Sequence, residues 1–104
     1  MKITLTLDET KVWLMQTALK TAAMQEAVSL GGIHFGEYEK FKNEIDIRRH
    51  MVTEYMALRT AIMRWWAQGE SEEEAKKTAK QQEEGLNEVV NEWNRHVRRI
   101  KGTA

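Results

Sequence analysis

The chain has 104 residues with neither cysteine nor proline, and 16 Lys and Arg balance 16 Asp and Glu to a formal net charge of zero. Disulfides, thiolate metal sites and a cysteine nucleophile are therefore excluded. The pI near 6.8 lacks the basic excess that broad nucleic-acid binding exploits.

A proline-free chain rich in Glu, Lys and Met favours an all-α fold. Its length makes one domain, residues 1–104, with a modest core that self-association would extend. The first residues form no apolar run of the signal-peptide kind. No stretch approaches the roughly 20 apolar residues of a membrane span. A cytoplasmic protein is expected, with no membrane partner.

Lys2-Ile3-Thr4-Leu5-Thr6-Leu7 alternates with period two and predicts a short N-terminal β-strand. With no certain partner in its own chain, that strand would pair with its copy across a two-fold axis, so a homodimer is expected. Asp8 is suited to cap a first helix over residues 8–30. Val12, Met15, Leu19, Ala22 and Ala23 share one face of it. Gly31-Gly32 ends it, the first glycine placed for a left-handed cap. Ile33-His34-Phe35-Gly36 reads as a connector or a second short strand.

A second helix is expected over residues 37–68, with two overlapping apolar stripes. The first is Tyr38, Phe41, Ile45, Val52 and Tyr55; the second is Met51, Tyr55, Leu58, Ile62 and Trp65. Two stripes imply different partners along one helix: the first helix for one part, the third for the other. Ser71-Glu72-Glu73-Glu74 is a capping box, and a third helix follows over residues 71–101. Ala75, Ala79, Gln82, Leu86, Val89, Trp93, His96 and Ile100 alternate steps of four and three along it. That spacing is a seam for packing along another long helix. The short joint at Gly69-Glu70 makes the second and third helices a long antiparallel hairpin.

A hairpin register centred near residue 70 sets Arg48 opposite Glu92, with Glu88 within reach, and predicts an ion pair there. It also gathers Arg48, Arg49, His50, Arg95, Arg98, Arg99 and Lys101 at the open end. Arginine's planar fork suits phosphate, so this cluster is a candidate site for an anionic nucleotide or an acidic partner surface. His96 on the seam is expected to bond Glu44 or Glu92. Asp46, His50 and Glu54, like Glu88, Glu92 and His96, recur at i, i+4, i+8, but the register does not bring the two trios together. No metal site and no cofactor are therefore predicted. Gly-rich phosphate loops and nucleophile–base pairs of recognisable spacing are absent, which argues against an enzyme.

Four tryptophans carry the remaining signal. Trp93 on the seam and Trp65 on the second stripe are expected in the core. Trp13 and Trp66 fall off the stripes and are candidate interface residues, since tryptophan and arginine dominate binding hot spots. The turn Trp66-Ala67-Gln68-Gly69 is one residue longer than the Trp-x-Gly turn of a family of secreted helical hairpins, and the strand-like start does not fit that family either. The opening, Lys2 to Glu9 running into Val12-Trp13-Leu14-Met15, resembles the start of small uncharacterised proteins of Gram-positive phages and prophages. That resemblance covers about a fifth of the chain. It implies an accessory viral protein that binds and inhibits a host component, and it transfers no functional residues. The sequence reading is thus a non-enzymatic helical interaction protein. A protein that sequesters a small anionic ligand is the alternative.

Overall fold

The computed structural model describes residues 2, 4 and 6–102. It contains three helices, α1 (Glu9–Ser29), α2 (Tyr38–Ala67) and α3 (Glu72–Lys101), with a 3₁₀ turn at Leu30–Gly32. The ends follow the local chemistry. Asp8 Oδ1 accepts from the Lys11 amide at 2.9 Å, and Ser71 Oγ from the Glu74 amide at 3.2 Å. Each satisfies a donor that the first helical turn leaves open. At the far end Gly102 adopts φ +80°, and its amide reaches the Arg98 and Arg99 carbonyls.

The helices form a flattened body, 48 × 34 × 16 Å. Gln16–Arg59 and Glu26–Arg48 contacts run α1 and α2 antiparallel. Arg59–Gln82 and Gly36–Ile100 contacts do the same for α2 and α3. It follows that α1 and α3 run in the same direction, with Lys20 beside Glu88 and Leu30 beside Arg99. The expected hairpin is present, but α1 packs on α2 more extensively than α3 does. The main core joins Ala27, Leu30, Ile33, Ile45, Trp93 and Ile100; a second cluster joins Ala23, Met56 and Val89.

Several expectations are corrected. No strand occurs among the described residues: Lys2, Thr4, Thr6 and Leu7 carry no strand pairing, and Ile3 and Leu5 of the expected strand lie outside the described residues. Ile33-His34-Phe35, its one candidate partner, is instead a turn that closes when the Gly36 amide donates to the Ile100 carbonyl at 2.8 Å. Gly31 has no left-handed backbone. The α1 terminus tightens into 3₁₀ geometry, and Arg99 donates to the carbonyls of Leu30 and Ile33 at 3.0 and 2.8 Å.

The seam of α3 holds in its second half and shifts by one residue in its first. Val89, Trp93 and Ile100 are buried, but Thr78 and Gly85 are buried where Ala79 and Leu86 were expected. The second stripe of α2 does not hold together as core. Ile62 is buried, but Leu58 and Trp65 are each 51% exposed, because α1 and α3 both dock on the opposite face.

Candidate functional site

Along the core-facing side of α2, Arg48 and Arg59 stand among apolar residues, and their neighbours on α1 differ in one decisive way. Arg48 meets a carboxylate: Nη1 donates to Glu26 at 2.9 Å and Nη2 to Glu44 at 3.1 Å. The Glu44 bond, opposed by desolvation and helped by Glu26, raises the Arg48 pKa. Arg59 meets an amide at the equivalent register. Its Nε donates to Gln16 Oε1 and its Nη1 to the Gln82 carbonyl, both at 3.1 Å. Arg59 is 3% exposed. Among the described residues it has no ion pair, and burial alone lowers its pKa. It remains charged, since a guanidinium does not lose its proton in a protein.

The guanidinium fits because α3 has Gly85 there. A Cβ at that position would lie 2.8 Å from Nη2 and 3.0 Å from Nη1. Nη2 makes no hydrogen bond within the described protein, yet no fully buried side-chain nitrogen lacks a partner. This edge of Arg59 therefore keeps a small opening to solvent. It opens into a trough of about 800 Å³ between α1 and α3, floored by Arg59 and Met63. Trp13, Met24 and Val28 supply its apolar surface on α1, and Gln81, Glu84 and Glu88 its polar edge on α3. Lys20 on α1 reaches across to Glu88 at 2.7 Å. The α1 wall runs from Trp13 to Ser29, about 24 Å at 1.5 Å per residue, and the α3 wall from Gln81 to Glu88, about 10 Å.

Most of the basic residues expected to gather at the open end are engaged with intramolecular partners. Arg48 is tied to Glu26 and Glu44 and not to Glu88 or Glu92, because α1 covers that face of α2. Arg99 caps the α1 terminus, and Lys101 lies 4.6 Å from the Tyr38 ring centroid. Arg95 and His96 both bond Glu92, as expected for His96, and the Arg95 bond first, then that of His96, lowers the Glu92 pKa. Arg98 Nε bonds the Asn94 carbonyl at 3.3 Å, while Arg49 and His50 are exposed. Among the described residues no group of three His, Asp or Glu side chains is placed to hold a metal ion, and no helix is long and apolar enough to cross a membrane.

Of the candidate interface residues, Trp13 is 46% exposed at the mouth of the trough, while Trp66 is half-buried beside Trp65. The sequence reading passed over Arg59, Gln16 and Gly85. Their signals were a second arginine in an apolar stripe and a lone glycine inside a helix of strong helix formers, a mark of close approach. No family model, curated protein or solved structure matches the chain.

Proposed function

We propose that this protein is a non-enzymatic interaction module that holds an amphipathic helix of a partner protein in the α1–α3 trough, with a carboxylate of that helix bound to Arg59. The unpaired, buried guanidinium at the floor of the trough carries the reading. A buried charge without a counter-charge is costly, and an arriving carboxylate supplies one through a charge-assisted bond. The α1 wall of the trough, Trp13 to Ser29, is long enough for some four turns of helix, and Trp13 and Val28 on that wall are about half exposed. Trp13, Met24 and Val28 make that wall apolar, the surface on which an amphipathic helix lays its apolar face. Glu84 and Glu88 on the rim disfavour a polyphosphate, so a single carboxylate fits better than a nucleotide. The basic residues already engaged with internal partners lend the nucleotide alternative little support. The phage-like opening is consistent with a host protein as the source of the helix.

The test is a displayed library of helical peptides of about 16 residues, selected on the wild-type protein and counter-selected on Val28→Glu. Enriched sequences should carry apolar residues at i, i+3/i+4 and i+7, with one Asp or Glu on that face. They should lose at least about tenfold in affinity when the acid becomes its amide. Failure to enrich, or equal binding to Val28→Glu, refutes the groove reading. Enriched peptides indifferent to the acid-to-amide change refute the role of Arg59 alone.

A further inference from the structure

The outer face of α2, opposite the core, carries its own stripe: Ile47, Glu54, Leu58, Ala61 and Trp65, all exposed. Ile47 is 63% exposed, and no element of the described protein covers it. Trp65 stands 18 residues after Ile47, five full turns of helix, so both lie at one angular position. Glu54 and Leu58 lie symmetrically between them about residue 56. A stripe with this symmetry complements a second copy of itself run antiparallel.

The charges agree. Asp46 and Arg64 are also 18 residues apart and share one flank of α2. Both are exposed and have no ion pair among the described residues, although Glu83 of α3 lines the same shallow trough as Arg64. In a two-fold antiparallel pair each flank meets the same flank of the other helix, which sets Asp46 of each copy near Arg64 of the other. Parallel pairing would leave Asp46 and Arg64 of the two copies 18 residues apart along the axis, about 27 Å, with no such ion pair. The zero net charge adds no repulsion between copies.

We infer that two copies of this chain pair antiparallel through the outer face of α2, about a two-fold axis near residue 56. Ile47 packs on Trp65 of the second copy and Leu58 on the stem of its Glu54, whose carboxylate reaches water. Ala57 and Ala61 let the two backbones approach. The trough around Arg59 lies on the opposite side of α2 and stays free in the pair. A strip about 27 Å long sits at the low end of stable interfaces, so the dissociation constant should be micromolar.

Light scattering across a concentration series reads the mass, which should rise from 12.2 kDa toward twice that value. Leu58→Glu should abolish the rise while leaving circular dichroism unchanged, as well as melting at concentrations well below the dissociation constant. Asp46→Arg or Arg64→Asp alone sets like charges at both ends and should weaken the pair by about tenfold. The double exchange Asp46→Arg/Arg64→Asp should restore it. Val28→Glu, in the trough, should leave it intact. A constant mass of 12.2 kDa overturns the inference. So does a dimer insensitive to Leu58→Glu, single exchanges without effect, or a double exchange without recovery.

Discussion

Gly85→Ala tests the central feature of the interior, the seat of Arg59. In an ordinary helix interior this change stabilises by about 1 kcal/mol through helix propensity. Here the new Cβ would sit 2.8 Å from Nη2 and 3.1 Å from Cζ of Arg59, and the guanidinium must move. It is held by Gln16 at Nε and by the Gln82 carbonyl at Nη1. A bond from a charged donor is worth about 1.5–3 kcal/mol, so losing one outweighs the propensity gain. Losing both leaves a buried charge with no acceptor. The expected net loss is about 1–2 kcal/mol, a fall in melting temperature of about 5–15 °C for a domain of this size. Urea and thermal denaturation followed by circular dichroism measure it. In an Arg59→Met background the clash involves a smaller, uncharged side chain, and Gly85→Ala should there be neutral or stabilising. The double-mutant cycle should return a coupling of at least about 1.5 kcal/mol. A Gly85→Ala protein more stable than the wild type by the full propensity term would refute the reasoning, because the guanidinium would then move at no cost.

Other outcomes follow from the same contacts. Trp93→Ala should cost about 3–5 kcal/mol, and Leu86→Ala, on the partly exposed edge of α3, about 1 kcal/mol; equal costs in urea would reassign the buried face. Arg99→Ala removes both donors to the Leu30 and Ile33 carbonyls and should cost about 1–2 kcal/mol, with hydrogen exchange rising at the 3₁₀ turn before the rest of the chain. Glu92 titrates lower in the folded state than in the unfolded chain because Arg95 and then His96 donate to it. Its contribution is therefore present above the unfolded carboxylate value, about 4.3, and is lost as pH falls through the lower folded value. Urea midpoints measured from neutral pH downward should fall more steeply for the wild type than for Glu92→Gln, and parallel curves would remove Glu92 from the acid response.

The three helices and their ends were legible in the sequence because local chemistry governs them. Asp8, Ser71 and Gly102 act within a turn of their own position, and helical periodicity survives in Val89, Trp93 and Ile100. Tertiary structure decided which stripe of α2 became core. Two stripes of similar apolar character compete for one set of partners, and the docking of α1 settled it by covering the face with Ile45 and Met56 and leaving Leu58 and Trp65 outside. It also decided the fate of the charges. Arg48 found Glu26 on α1 although helical spacing pointed across the hairpin, while Arg59 met Gln16 and remained without a counter-charge. Pairing between residues 22 or 43 positions apart depends on how two helices cross, and no local pattern records that crossing. The seam of α3 slipped from Leu86 to Gly85 for a related reason: with no side chain of its own, Gly85 contributes nothing to an apolar pattern. Only the arrival of the Arg59 guanidinium from α2 gives that empty position its purpose.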